Sequence, residues 1–210
     1  MCQLDELRKC LNVDALQTAL KSLPETLDDT YARILCNIDK NHSEYALKIL
    51  QWLAYSARPL QMEEVAEVIA VNTKGKPRFD PKNRLWEPRL ILMICSSLVT
   101  TVVSTIDDGY GKTREIEEVR LAHFSVKEYL VSDRIRTGPA SRYNIAKCAH
   151  DHIAQTCLTY LLYFRGPSLL TLDNIDEFPL VRYAAKYWTQ HARMAGNDTD
   201  QTDRLSIELF

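Results

Sequence analysis

Hydrophobic residues along this chain recur mostly at helical spacing, and in one place the period changes from two to three and four. From Val119 to Ser132 the sequence reads Val-Arg-Leu-Ala-His-Phe-Ser-Val-Lys-Glu-Tyr-Leu-Val-Ser. Val119, Leu121 and His123 alternate with Arg120 and Ala122, as in a half-buried strand. From Ser125 onward Val126, Tyr129 and Leu130 share one helical face. Ser125 and Glu128 have the spacing of a capping box, with Phe124 and Tyr129 placed to staple the helix start. A strand is therefore predicted to hand over to a helix at His123–Ser125.

Three helices are predicted over residues 1–57. The first carries Val13, Leu16, Leu20 and Leu23 and ends at Pro24. The second carries Leu27, Tyr31, Ile34, Leu35 and Ile38. Ser43 is expected to cap the third, which buries Ala46, Leu47, Ile49, Leu50, Leu53 and Ala57. Trp52 lies off its main stripe and is expected to meet a neighbouring element. Arg58-Pro59 stops that helix, because a proline disfavours helix in the residue before it.

A fourth helix follows Leu60, with acidic residues in its first turn and Val65, Val68 and Ile69 on its buried side. Residues 72–88 read as a polar loop with three prolines. Pro88 opens a helix over about Arg89–Leu98 that is apolar nearly all round. Val99–Ile106 is β-branched and strand-like, Asp107–Gly111 a turn, and Glu115–Ala122 the returning strand. Helix, helix, helix and hairpin in that order are the winged-helix arrangement.

After Asp133 the chain is predicted to be helical again. One amphipathic helix of about 25 residues runs through Ile145, Ile153 and Leu161. Another carries Leu180, Tyr183, Ala184, Tyr187 and Trp188. Residues from Ala195 to Arg204 read as polar and loose. The fold class is mainly α, in three parts: a helical segment at 1–57, a winged-helix domain with a β-hairpin wing at 58–133, and a helical segment at 134–210.

Composition changes this picture little. The 210 residues are 46% hydrophobic and 26% charged, with a net charge of −2. Such a balance gives no electrostatic footprint for nucleic acid or an anionic membrane. No apolar run is long enough to span a bilayer, and no secretory signal opens the chain. The six cysteines are expected to be reduced core thiols of a cytoplasmic protein.

Candidate chemistry is sparse. There is no G-x-x-x-x-G-K-[ST], G-x-G-x-x-G or G-x-S-x-G motif. Cys148, His150, His152 and Cys157 cluster, but residues two apart on a helix face away from each other, so no metal site is expected. The helix in the recognition position has one arginine, Arg89, whereas base readout needs several Arg, Lys, Asn or Gln side chains. Residues 60–132 hold ten Lys/Arg and eleven Asp/Glu. A DNA-binding winged helix is thus the alternative reading, opposed by charge. His123 is the one polar residue whose place at a corner invites a role. It is either a partly buried histidine bonded to nearby backbone or a contact for a group outside this chain.

Several stretches, in this order, resemble one family: Leu23-Pro-Glu-Thr-Leu-Asp-Asp-Thr-Tyr-Ala-Arg-Ile-Leu35, Arg58-Pro-Leu60 with Glu63-Glu64, Ile94-Cys-Ser-Ser-Leu-Val99, Val119–Leu130 and Tyr183-Ala-Ala-Lys-Tyr-Trp-Thr-Gln-His-Ala192. It is the region after the NACHT nucleotide-binding domain of fungal NLR-like STAND proteins, which carries a GPI inositol-deacylase-type winged-helix domain and is commonly followed by ankyrin repeats. The resemblance implies a non-catalytic regulatory module with no cofactor of its own. ATP/ADP or GTP/GDP would bind the NACHT domain, against which the winged helix packs in the closed state. Its partners would be that domain and the repeats, with oligomerisation on activation and neither nucleic acid nor membrane. Related proteins place a histidine of a Met-His-Asp-like motif against the β-phosphate of ADP. His123 is similar in place and context, although Ala122 and Phe124 stand where that motif has methionine and aspartate. The family label names a hydrolase, but no nucleophile–base pair stands out in the sequence.

Overall fold

A computed structural model describes residues 11–15, 17, 26–107, 113–166, 169–196 and 200–210. The first expected helix and the Asp107–Gly111 turn lie largely outside these residues. Helix α1 spans Leu27–Cys36, with Thr26 Oγ1 accepting from the amide of Asp29 at 3.1 Å. Helix α2 spans Ser43–Tyr55. Ser43 is its first residue rather than its cap. Its hydroxyl donates back to the Lys40 carbonyl, while Asp39 caps the short 3-10 turn ahead of it. Ala46, Ile49, Leu50 and Trp52 are fully buried. Ala57 lies beyond the helix end and is exposed, against expectation. Trp52 meets Tyr183, with ring centroids 5.3 Å apart.

A two-residue strand absent from the sequence reading, β1 (Leu60–Gln61), leads into helix α3 (Met62–Ala70). Here a reciprocal cap does form: the Gln61 amide donates to Glu64 Oε2 at 2.9 Å. Every residue of α3 but Glu63 is buried. Glu64 and Glu67 tolerate burial because Arg58 and Arg84 each reach them with two nitrogens, the fork geometry that best matches a carboxylate. The 72–88 stretch is less polar in effect than in composition. Phe79 is buried against Tyr160 and Tyr163, at 4.8 and 5.0 Å.

Helix α4 spans only Leu90–Cys95, shorter than the ten residues expected. The backbone leaves the helix at Ser96, which has φ 49°, and a 3-10 turn over Ser96–Leu98 delivers the chain to the sheet. Strands β2 (Val99–Asp107) and β3 (Thr113–Leu121) pair antiparallel from Val99↔Leu121 to Asp107↔Thr113. With Leu60 opposite Val119, the sheet order is β1-β3-β2. Three helices and this small sheet make a winged helix, as the hydrophobic pattern predicts.

Helices α5 (Phe124–Val131), α6 (Asp133–Thr137), α7 (Ala149–Leu162), α8 (Val181–Ala195) and α9 (Asp200–Leu209) complete the order. Helix α7 is shorter than the predicted 25 residues, because Cys148 takes a left-handed conformation just before it. The segment read as loose after Ala195 contains α9. Its Thr202 and Leu205 are buried, and Thr202 Oγ1 donates to Asp151 Oδ1 at 2.6 Å. One continuous hydrophobic cluster runs from Tyr31 to Ala184. Among the described residues no helix is long and apolar enough to cross a membrane.

Candidate functional site at the strand–helix corner

The corner after β3 is where the sequence places it, but its hydrogen bonds differ from those expected. The amide of Ala122 donates to the Leu98 carbonyl at 2.9 Å, continuing the β2–β3 ladder one step. His123 remains extended (φ −154°, ψ 152°) and is itself the N-cap of α5. Its Nδ1 lies 3.3 Å from the Ser125 amide and 2.7 Å from Ser125 Oγ. In place of the expected Ser125–Glu128 capping box, His123 two residues earlier is the cap, and its ring nitrogen takes the Ser125 amide, one of the orphan donors of the helix start. The expected staple is also absent. Phe124 is 69% exposed and lies on the His123 ring at 4.3 Å, whereas Tyr129 turns inward to Tyr31 at 5.7 Å.

His123 is exposed rather than partly buried. Ser125 is half-buried, and its hydroxyl also meets Tyr31 Oη of α1 at 2.7 Å. A serine beside an imidazole invites comparison with a hydrolase pair. Here the imidazole uses the nitrogen facing its own helix, the serine oxygen is engaged by Tyr31, and among the described residues no carboxylate orients the ring. A working nucleophile needs its base oriented by a third group. Beside the corner, Lys127 Nζ donates to the Ala54 carbonyl and sits 5.2 Å above the Tyr55 ring. Between the end of α2 and the end of β3 runs a groove of about 400 Å³, lined by Leu53, Ser56, Arg58, Pro59, Arg120 and Leu121 among others. Both its guanidinium groups are committed, Arg58 to Glu64 and Arg120 to Glu118.

A second polar cluster was invisible in the sequence. Tyr183 Oη accepts from the Ala57 amide at 2.9 Å and meets His191 Nε2 at 2.9 Å. His191 Nδ1 in turn faces His150 Nδ1 at 2.9 Å. Burial, with His150 alongside, pulls the His191 pKa from 6.5 down to about 4. Burial and then the charge of Lys127 lower that of His150. His152 points elsewhere, to Gln51 Nε2 at 3.1 Å. The histidines therefore diverge as helical geometry requires. Among the described residues no three His, Cys, Asp or Glu side chains are placed to hold a metal. Burial pushes the Cys95 thiol up to about 12 and that of Cys157 higher still, so both stay protonated.

The recognition position is filled by α4. Ile91, Ile94 and Cys95 are buried, and Met93 is 76% exposed. Arg89 Nη2 is bound to Glu117 of the wing at 3.1 Å. Trp86, just before the helix, is 85% exposed. With this architecture in view, comparison with known families is direct. The family described as GPI inositol-deacylase, winged helix domain matches residues 31–146, more than half of the chain. The chain belongs to this family.

A curated relative, the azaphilone pigments biosynthesis cluster protein L of Monascus ruber, is 40% identical over 201 residues, or 95% of this chain. The chain spans about two fifths of that relative's length, 41%. No solved structure matches the chain. The family match begins at Tyr31 and takes in the whole wing, the His123 corner and α6.

Proposed function

We propose that this chain is a non-catalytic regulatory and interaction module of an NLR-like protein, packing against a NACHT nucleotide-binding domain to stabilise its nucleotide-dependent closed state. The observation that carries the reading is the recognition helix. Its exposed side chain is Met93, with Trp86 beside it, and its one cation is tied to Glu117. Such a face suits a protein surface, where aromatic residues and methionine are enriched. It offers no second donor for base edges. The family, the resemblance to NACHT-adjacent regions and the exposed imidazole at the corner support the same reading.

His123 would contact the diphosphate of the nucleotide held by the NACHT domain, ADP or GDP in the closed state. An imidazole donor that meets the phosphate in only one domain arrangement biases a two-state switch. Ankyrin or other repeats, oligomerisation on activation and a cytoplasmic setting belong to the same proposal. The test is ADP affinity of the protein carrying its NACHT domain. His123→Ala should weaken it about tenfold, the loss of one hydrogen bond to a charged group. Unchanged affinity rejects the sensor role. Tight, steeply salt-dependent binding of this chain to duplex DNA would establish the alternative winged-helix reading instead.

A further inference from the structure

The bonds around His123 allow one consistent arrangement of protons. The Ser125 amide can only donate, and its hydrogen is aimed at His123 Nδ1. Nδ1 must therefore accept, because a proton on it would face the amide proton head-on. Ser125 Oγ, 2.7 Å from the same nitrogen, must then donate to it as well. Having directed its only proton to His123, the serine oxygen can only accept from Tyr31, so Tyr31 Oη donates across the 2.7 Å contact. The chain runs Tyr31 to Ser125 to His123, in one direction. The neutral ring is left with its proton on Nε2, in an exposed side chain where that nitrogen has no partner among the described residues.

We propose that Tyr31 and Ser125 are positioning residues that lock His123 in the Nε2–H tautomer, and that this lock makes the outward donor depend on the docking of α1. Tyr31 stands 94 residues from Ser125 in the chain. Helix α1 is seated on the corner by three contacts: Tyr31 to Ser125, the Tyr31–Tyr129 ring pair, and the Asp28–Arg134 ion pair at 2.9 Å. A shift of α1 of about 1 Å takes the Tyr31–Ser125 contact beyond hydrogen-bonding distance. The serine hydroxyl then loses its donor, its proton is free to turn, and the preference for Nε2–H falls. The group best matched to the locked ring is an acceptor-only oxygen, such as that of a phosphate. The phosphate half of this inference rests on the sensor reading above. The tautomer half does not.

Nitrogen and carbon NMR of histidine-labelled chain, above the pH range in which imidazole titrates, reads the tautomer directly. His123 is assigned by the resonance missing from His123→Gln. The wild-type ring should show Nε2–H in excess by about tenfold, as two hydrogen bonds to Nδ1 would give. Ser125→Ala should cut that excess about fivefold, Tyr31→Phe less and in the same direction, and Ser125→Thr should restore it. A wild-type ring with mixed tautomers, or with Nδ1–H dominant, overturns the lock without recourse to any variant. In the protein carrying its NACHT domain, Tyr31→Phe should weaken ADP binding in the same direction as His123→Ala. If the NMR result holds while neither substitution alters ADP affinity, the lock stands and the nucleotide reading falls.

Discussion

Two hydrogen-bonded runs through histidine, one at the corner and one at a buried seam, put the same side chain to opposite uses. At the corner, Tyr31, Ser125 and His123 use one ring nitrogen internally and leave the other facing out. In the seam between α2, α7 and α8, Ala57, Tyr183, His191 and His150 form a run that engages both nitrogens of His191, which is 1% exposed. A buried polar group costs free energy unless satisfied, and a satisfied one specifies how its neighbours fit together. The seam is therefore a fastening between the winged helix and the C-terminal helices, and the corner is a presentation site. Histidine identity alone does not separate the two. Burial and the number of engaged nitrogens do.

The strongest way to break the comparison is to remove the central hydroxyl of the seam. Tyr183→Phe keeps the ring that packs on Trp52 and lies beneath Arg58. It strips His191 Nε2 and the Ala57 amide of their partner. Two polar groups left unsatisfied should cost about 3 kcal/mol, read as a lower urea midpoint with an unchanged slope. Tyr31→Phe at the corner has no comparable consequence, since Ser125 Oγ still reaches His123. A loss below about 1 kcal/mol from Tyr183→Phe would show that the seam is not a fastening.

Acid should separate the two runs next. In the unfolded chain His191 titrates near its ordinary value of 6.5, whereas burial holds it at about 4 in the fold. As pH falls the unfolded chain takes up this proton first, so acid favours unfolding. The full stability is present above about pH 6.5 and is lost as pH falls towards 4. His150, lowered by the same burial and by Lys127, acts in the same direction. The loss should be about 3 kcal/mol, seen as an acid shift of the urea midpoint that is blunted in His191→Gln. Tyr183, Tyr55 and Arg58 lie around this seam with their pKa values raised, so none of the three changes charge between pH 4 and 6.5. A flat profile over that range would place the histidines' titration outside the folding equilibrium.

The difference between the runs also explains what the sequence could disclose. The strand–helix corner was legible because a period change is written in consecutive residues, from Val119 to Leu130. The wing was legible because its first strand is a consecutive β-branched run and its second leads directly into that corner. Strand β1 was not, because two residues carry no period and their pairing with β3 is set by a partner about 60 positions away. Helix α9 was hidden by its polarity, since it has few apolar positions and Thr202 is held by Asp151 rather than by hydrophobic burial. His123 could be singled out by its place, but not the partners that orient it. Tyr31 looks like an ordinary core position in the second predicted helix, and only folding brings it to Ser125. The seam left still less trace, with Ala57, His150, Tyr183 and His191 spread over 135 residues. Long-range polar pairs have no sequence period, whereas the hydrophobic faces that bring them together do.

The smallest effect tests the sequence-based picture of the corner most sharply. Had Phe124 and Tyr129 formed a staple, Phe124→Ser would remove an apolar contact that fixes the entry of α5, and stability would fall by about 1 kcal/mol or more. In the structure Phe124 is 69% exposed and touches the exposed face of His123, while Tyr129 is occupied by Tyr31. Substituting a side chain in that position should change stability by no more than about 0.5 kcal/mol. The helix start would still be capped, because Ser125 N–H reaches His123 Nδ1 whatever follows His123. A measured loss near the staple value would mean that Phe124 spends its time folded inward, covering the imidazole. An unchanged urea midpoint would leave the ring, and the donor beside it, facing out.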